Sequence, residues 1–360
     1  MENKKVIFFL SHFNGGGAEL VSILLANWLA DEMGVFVEFL ILDESGPLKN
    51  SVSKKIQINV LKQKNKKNKI INSIQILINL VQLSKRNTEL IICSEGLPWI
   101  YGFLYPEKIV WIHADLEDYF SKLDWFKKFI FKLVLSRYKK LVFVSHSSME
   151  SYDYVIPKKL VTSYKRIIYN TIRYKVLPVE KKITANKVKL ISVGRLEKIK
   201  CHEFTISIVY ELRKLGFDIE LSIYGDGGEY VILKDLIRRL NMENFIKLHG
   251  YVTDLNMELN SSDIFISCSE SEGYGVSMLE AMAFGIPSLY LSPCKGLDEI
   301  SSDGKYAIAI PRDSHMKMLT EISSLVSSYS IYKKYSQLSL LRAKELTKIN
   351  FYQEWHNVLF

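Results

Sequence analysis

One loop, set between a β-rich run and a helix, carries the densest chemistry in the chain. It reads Ser269-Glu270-Ser271-Glu272-Gly273-Tyr274-Gly275-Val276-Ser277-Met278-Leu279-Glu280, and its helix stops at Gly285, just before Pro287. A helix start presents free N–H groups, so the backbone near Gly275, Val276 and Ser277 suits a phosphate. Seven residues separate Glu272, in the loop, from Glu280, two turns into the helix. A carboxylate at the edge of such a site can accept from two ribose hydroxyls. The plain alternative is a surface helix with ordinary charges, since this Glu spacing also arises by chance. A second loop, Gly194-Arg195-Leu196-Glu197-Lys198-Ile199-Lys200, follows another β-rich run. Arg195 and Lys200 suit a diphosphate, one as a planar fork and the other as a point charge. Taken alone, this loop reads as a solvated basic turn.

Two glycine-rich turns complete the set. Gly15, Gly16 and Gly17 stand between the first β-rich run and the first long helix. They allow close backbone approach at a helix N-terminus, which favours an anion; a tight strand-to-helix turn is the bland reading. No Gly-Lys-Ser/Thr follows, so this is not a P-loop. The turn Gly225-Asp226-Gly227-Gly228-Glu229 lacks the G-x-G-x-x-G spacing and follows the second strand of its series. It reads as a tight turn whose backbone lies near a nucleotide.

These loops need strands to end on and helices to open. Expected strands are 6–10, 35–42, 56–61, 90–93, 109–112, 141–144 and 166–169. A second series is 188–193, 219–223, 245–248, 264–267, 288–291 and 307–310. Helical patterns such as 18–33, 202–215, 229–240 and 276–284 lie between them. Strands alternating with helices imply parallel sheets covered on both faces. Two series imply two doubly wound domains, an α/β protein, with 1–172 and 173–345 as the expected units. Residues 170–186, charged and without apolar periodicity, read as a linker. The helical tail at about 346–360 carries Phe351, Tyr352, Trp355 and Leu359 on one face. It either returns to the first domain or packs on its own. In open sheets of this kind, ligands sit at the C-terminal strand ends, which is where the informative loops fall.

The chain has 360 residues, with 48% hydrophobic and 24% charged side chains, which excludes disorder and collagen-like structure. The net charge is +9. Residues 1–170 hold 24 basic and 16 acidic side chains, so nearly all of the excess lies there and points to an anionic partner. From Ser45 to Thr88 there is no Asp or Glu, but ten Lys and Arg, including Lys62, Lys64, Lys66, Lys67 and Lys69. The apolar pattern Ile70, Ile71, Ile74, Leu77, Ile78, Val81 lies beside them. A second stretch, 119–140, interleaves lysines with Trp125, Phe126, Phe129, Ile130 and Phe131. Basic aromatic amphipathic helices suit an anionic membrane surface; ordinary core faces edged by solvated lysines are the alternative. Four scattered cysteines show no metal-ligand spacing and fit a reducing cytoplasm. The apolar start is too short for a signal peptide, and 70–83 is too short and polar to span a bilayer.

Five elements together resemble the retaining glycosyltransferases of family 4, the group 1 glycosyl transferases, which have the GT-B fold. They are GGGAE at 15–19, VSHSS at 144–148, IIYNTI at 167–172, VGRLEKIK at 193–200 and ESEGYGVSMLEAMAFGIP at 270–287. They occur in the family's order and cover nearly the whole chain. The resemblance implies two Rossmann-like domains facing a central cleft, with a nucleotide-sugar donor held mainly by the second. It implies that Arg195 and Lys200 bind the donor diphosphate and that Glu280 binds the ribose. Glu272 would sit beside the donor sugar, and the backbone of Gly273, Tyr274, Gly275, Val276 and Ser277 near sugar and phosphate. Gly15, Gly16 and Gly17 would close over the diphosphate from the other domain. His113 matches the position of the family's active-site histidine. Two departures stand out: Cys201 follows Lys200 where the family often has Gly, and the loop after Pro287 reads SPCKGLDEI where the family is richer in glycine.

A retaining transfer by front-face displacement needs mainly a stabilised leaving diphosphate, which Arg195 and Lys200 would supply; the resemblance implies His113 and Glu272 as the catalytic residues. No two aspartates lie two residues apart, so the Asp-x-Asp metal motif of other sugar transferases is missing and no metal or other cofactor is expected. The expected activity moves a hexose or N-acetylhexosamine from a nucleotide sugar, UDP-linked above all, to a lipid-linked acceptor of bacterial surface polysaccharide synthesis (O-antigen, capsule or lipopolysaccharide). The enzyme would be peripheral on the cytoplasmic face of the membrane. No nucleic-acid motif is present. A non-catalytic relative that binds a sugar nucleotide or a partner is the alternative.

Overall fold

The computed structural model describes residues 5–61, 88–93, 99, 108–156, 164–177, 187–348 and 351–360. The chain divides into two compact units, Met1–Asn170 with Asn350–Phe360, and Thr171–Ile349.

The described strands of the first unit are β1 (Lys5–Leu10), β2 (Phe36–Ile41), β3 (Gln57–Val60), β4 (Thr88–Ile92), β5 (Ile109–Ile112), β6 (Lys140–Phe143) and β7 (Tyr164–Ile167). All pair in parallel, in the order β3-β2-β1-β4-β5-β6-β7. The chain winds outward from β1 to β3, then returns to β4 on β1's other side. β1 and β2 are buried along nearly their whole length, which is why they read as unbroken apolar runs rather than alternating ones. Around the sheet lie α1 (Gly17–Asp31), α2 (Leu116–Ser121), α3 (Trp125–Arg137) and α4 (His146–Val155). β7 begins two residues before the expected 166–169, because Tyr164–Ile167 is the stretch in register with Lys140–Phe143.

The second unit repeats the plan. Its strands are β8 (Val188–Val193), β9 (Ile219–Tyr224), β10 (Ile246–Leu248), β11 (Ile264–Ser267), β12 (Ser288–Ser292) and β13 (Ile308–Pro311), in the parallel order β10-β9-β8-β11-β12-β13. The helices are α5 (His202–Lys214), α6 (Tyr230–Arg239), α7 (Asn256–Ser261), α8 (Val276–Ala283), α9 (Lys295–Ser301), α10 (His315–Ser327) and α11 (Tyr329–Lys348). A single apolar core joins β8 and its neighbours to α5, α6 and α10.

The last helix, α12 (Phe351–Leu359), belongs to the first unit. Trp355 is fully buried with its ring 4.5 Å from that of Trp111 on β5. Tyr352 stacks on Trp28 of α1 at 5.0 Å, and Arg166 on β7 donates to Glu354 through Nε at 2.8 Å. Such ring pairs add about 1 kcal/mol each beyond the area they bury.

The segment after β7 is not the free linker its composition suggests. Tyr174 packs edge-on against Phe284 at 5.3 Å, and the Leu177 N–H donates to the Ala283 carbonyl at 2.8 Å. Its sparse apolar residues are spent on these contacts, so no periodicity marks them. Lys62 to Lys69, the apolar pattern 70–81 and residues 178–186 lie outside the described residues.

Candidate active site

In the second sheet β8 and β11 are neighbours, with Ile264 opposite Leu190. The strand order reverses between them, and a doubly wound sheet binds its ligand at the carboxyl ends of such a pair. The loops that leave these two ends are 194–200 and 268–275, the two whose residues suggested phosphate chemistry.

The loops are joined to each other. The Glu270 N–H donates to the Ile199 carbonyl at 2.8 Å. Lys200 Nζ lies 2.6 Å from Glu272 Oε1, which also accepts from Ser269 Oγ at 2.9 Å. Both charged side chains are mostly shielded, at 12% and 19% exposure. Shielding strengthens what an ammonium offers a phosphate, because the local dielectric falls. Arg195 is different: it is exposed and pairs with Glu197 at 2.7 Å. The structure thus couples Lys200 to Glu272, and leaves Arg195 on the rim.

The loop after β8 rests on the turn after β9. The Gly194 N–H donates to the Tyr224 carbonyl, and Leu196 N–H to that of Asp226, each at 2.9 Å. Gly225 sits at φ +143°, and a Cβ there would stand 1.9 Å from the Gly194 oxygen. The GDGG turn is therefore a seat for the Arg195–Lys200 loop. Beneath the loop, His202 Nε2 lies 3.3 Å from the Arg195 carbonyl oxygen. Burial pushes its pKa down to about 4, which keeps the ring neutral and able to donate to that carbonyl. Nothing in the sequence flags His202 except its place two residues after Lys200.

Cys201 takes the left-handed conformation, φ +50° and ψ +42°, and caps α5. The departure from the family's glycine leaves the helix start in the glycine-like geometry and loads a Cβ into it. That conformation costs a non-glycine residue on the order of 1–2 kcal/mol, partly offset by glycine's looser unfolded chain. Cys201→Gly is expected to raise stability by about 1 kcal/mol, read as a higher Tm, with donor binding unchanged; a lowered Tm would show that the thiol contributes more than the strain removes.

The other loop is held by glycines too. Gly275, at φ +86°, is the N-cap of α8 and supplies no side-chain cap, so the first N–H groups remain open to a ligand. The SPCKGLDEI stretch contributes Gly296, where a Cβ would come within 2.5 Å of the Glu272 carbonyl oxygen. One glycine at the point of contact meets the local need. Gly273 and Ser277 are half-buried, and Tyr274 and Val276 are buried.

Glu280, in α8, is 93% shielded at its side chain, and Arg173 Nε lies 3.4 Å from its Oε1. Neither atom has an aligned hydrogen-bond partner among the described residues. Burial pushes the Glu280 pKa up to about 7, against the pull of Arg173. A buried carboxylate oxygen without a donor is costly, and the hydroxyls of a sugar ring would satisfy it. Arg173 carries no sequence signal: it is one cation in a charged segment.

The first unit holds the other expected residues. Gly16 is the N-cap of α1, with no side-chain cap, and Gly17 opens the helix. Gly15 precedes them in the same turn. A Cβ on Gly16 would meet the Glu19 carboxylate, which also lies 3.6 Å from His12 Nδ1. His113 follows β5. Its ring tilts against Trp111 at 4.5 Å, and both ring nitrogens are shielded and without a hydrogen-bond partner among the described residues. Burial pushes its pKa down to about 3, so it is neutral throughout the physiological range. The residues after it are fixed: Asp115 Oδ1 accepts from the Glu117 N–H at 3.0 Å, and Leu116 N–H donates to Ser151 Oγ at 3.1 Å. A neutral imidazole can donate or accept a hydrogen bond to a hydroxyl; it carries no charge to place near a cation. No group of three or more metal-ligating side chains occurs among the described residues.

Residues 176–339 match the family model for glycosyl transferases group 1. An uncharacterized glycosyltransferase of Haemophilus influenzae is 24% identical over 99% of this chain and 100% of its own. A Campylobacter jejuni enzyme, N-acetylgalactosamine-N,N'-diacetylbacillosaminyl-diphospho-undecaprenol 4-alpha-N-acetylgalactosaminyltransferase, is 26% identical over 54% of this chain and 52% of its own. Among solved structures, the Anabaena protein Alr3699/HepE in complex with UDP and glucose superposes with a TM-score of 0.83 at 16% identity, over 99% of both chains. The fold is GT-B.

Proposed function

We propose, from the premise that this chain is a group 1 glycosyl transferase of GT-B fold, that it transfers a hexose or N-acetylhexosamine with retention from a UDP-sugar to a lipid-linked sugar acceptor, without a metal. The observation that carries the reading is the meeting of Lys200 and Glu272 at the strand-order reversal of the second sheet, beside the uncapped start of α8. UDP is favoured by the ligand of the Anabaena protein, and a diphospho-lipid acceptor by the Campylobacter enzyme's name.

The roles follow from chemistry. As the bond from sugar to diphosphate breaks, negative charge grows on the leaving oxygen. Lys200, Arg195 and the N–H groups at Val276 and Ser277 are the donors aimed at it, and a shielded ammonium needs little reorganisation to do so. Glu272, held by Lys200 and Ser269, is placed to accept from a donor-sugar hydroxyl. His113, neutral, hydrogen-bonds a sugar hydroxyl rather than steadying positive charge. Glu280 accepts from the ribose. Transfer assays on a panel of UDP- and GDP-sugars, with the product's anomeric configuration read by NMR, test the reading; inversion, or turnover abolished by EDTA, would overturn its finer points. Glu280→Ala is expected to raise donor KM roughly tenfold or more with a smaller effect on kcat.

The acceptor side rests on α3. Trp125 is 79% exposed, and Phe126, Phe129 and Leu133 are also exposed, while only Phe131, Val134 and Leu135 of that helix are buried. Lys127 and Lys132 are exposed among them. Bare aromatic rings with lysines at their flanks suit the headgroup layer of an anionic bilayer. The triple replacement of Trp125, Phe126 and Phe129 by Ser is expected to lower flotation with phosphatidylglycerol vesicles about tenfold or more and to spare UDP binding; unchanged flotation would remove α3 from the membrane contact.

A further inference from the structure

The opening segment of the second unit brings a guanidinium to a buried carboxyl. Thr171 to Leu177 runs along the second unit and is fastened at both ends of its course. Arg173 Nη1 donates to the Thr253 carbonyl. The Tyr174 hydroxyl donates to Asp254 Oδ1 at 3.0 Å and accepts from the Leu255 N–H at 2.8 Å. Leu177 N–H closes on Ala283, near the end of α8. With the segment pinned on both sides, Arg173 Nε stands 3.4 Å from Glu280 Oε1, the arginine side chain 23% exposed and the glutamate 7%.

We propose that Arg173 is a positioning residue for the nucleotide: it keeps the Glu280 carboxylate ionised and turned toward the ribose hydroxyls of a nucleoside diphosphate. The inference rests on the reading that Glu280 takes the ribose. The groups that face Glu280 are few. Arg173 and Tyr174 come from the segment, and Asp254 from the loop before α7. Of these, only Arg173 favours the ionised form; burial and Asp254 both oppose it. A protonated carboxyl can donate one hydrogen bond and accept weakly, whereas the carboxylate accepts from two hydroxyls at once. Among the described residues, losing Arg173 removes the one cation beside Glu280 that makes the second mode available near neutrality.

The test measures UDP and 2′,3′-dideoxy-UDP binding by calorimetry from pH 6 to pH 9, for the parent protein, Arg173→Met, Arg173→Lys and Glu280→Gln. For the parent, UDP affinity is expected to rise with pH through about 7 and to exceed that of the dideoxy compound about tenfold at pH 8. Arg173→Met is expected to move that rise upward by about one pH unit, to lose about tenfold for UDP at pH 7, and to leave dideoxy-UDP binding unchanged. Arg173→Lys, which keeps the charge, should recover most of the loss. Glu280→Gln should remove the pH dependence. If the parent binds both compounds equally, the ribose reading itself falls. If the parent discriminates and neither Arg173 variant moves the profile, the role of Arg173 alone falls. Should Arg173→Met fail to fold, Arg173→Gln takes its place: a rise moved upward with UDP affinity lost at pH 7 supports the role, and a profile equal to the parent's overturns it.

Discussion

Lys200→Met is expected to lower kcat/KM for sugar transfer by about a hundred- to a thousandfold, the effect of removing one preorganised donor from a developing oxyanion. The substitution keeps the alkyl stem, whose Cδ lies 3.7 Å from where a Cβ on Gly194 would stand, so packing against the loop after β8 is largely retained. What is lost is a shielded ammonium at the strand-order reversal. Two further consequences are expected. UDP affinity should fall with transfer, because the same charge meets the diphosphate in the ground state. Glu272 should be left with Ser269 Oγ at 2.9 Å as its remaining partner among the described residues, a mostly shielded carboxylate short of a cation. Adding Glu272→Gln to Lys200→Met should therefore recover stability without recovering transfer. Transfer at parental rates in Lys200→Met would mean that the diphosphate is met elsewhere.

Gly225→Ala is expected to destabilise the second unit by about 3 kcal/mol or more, and to abolish UDP binding under conditions where the chain stays folded. The new methyl would stand 1.9 Å from the Gly194 oxygen and 2.8 Å from its carbonyl carbon. Both obstacles are backbone, so no rotamer change relieves them. The φ of +143° adds conformational strain for any side chain. Relief requires the loop carrying Arg195 and Lys200 to lift off its seat. Gly228, three residues along the same turn, is the control: a Cβ there meets nothing within 4 Å, and Gly228→Ala should leave thermal unfolding and UDP titration near parental values. Equal behaviour of the two variants would show that the turn does not support the loop.

The strands that position the site could be read from the chain because parallel sheets bury both faces. Val6–Leu10, Ile109–Ile112 and Ile264–Ser267 are therefore apolar runs with little to confuse them. The loops were legible for a similar reason: glycine, arginine, lysine and glutamate clustered directly after those runs. What remained hidden is pairing across distance. Lys200 and Glu272 are each visible in their own loops, but nothing in their spacing says that they meet. His202 and Arg173 are single residues whose significance comes only from what the fold sets beside them, a carbonyl in one case and a buried carboxyl in the other. The turn at 225–228 reads as tight from its glycines, and its task of carrying another loop is a tertiary matter. The helical tail was ambiguous because an aromatic face states that it needs a partner without stating which.

That tail has a consequence for how the protein is made. α12 belongs with strands that begin at Lys5, and Trp355 covers Trp111. The ribosome releases those two rings 244 residues apart (355 minus 111). Thr171–Ile349, in contrast, is contiguous and has all of its parts once Ile349 has emerged. The unit synthesised first is thus the last to be completed. Until α12 has emerged, β5 presents a tryptophan without its Trp355 partner, a surface for chaperones to hold or for aggregation to exploit.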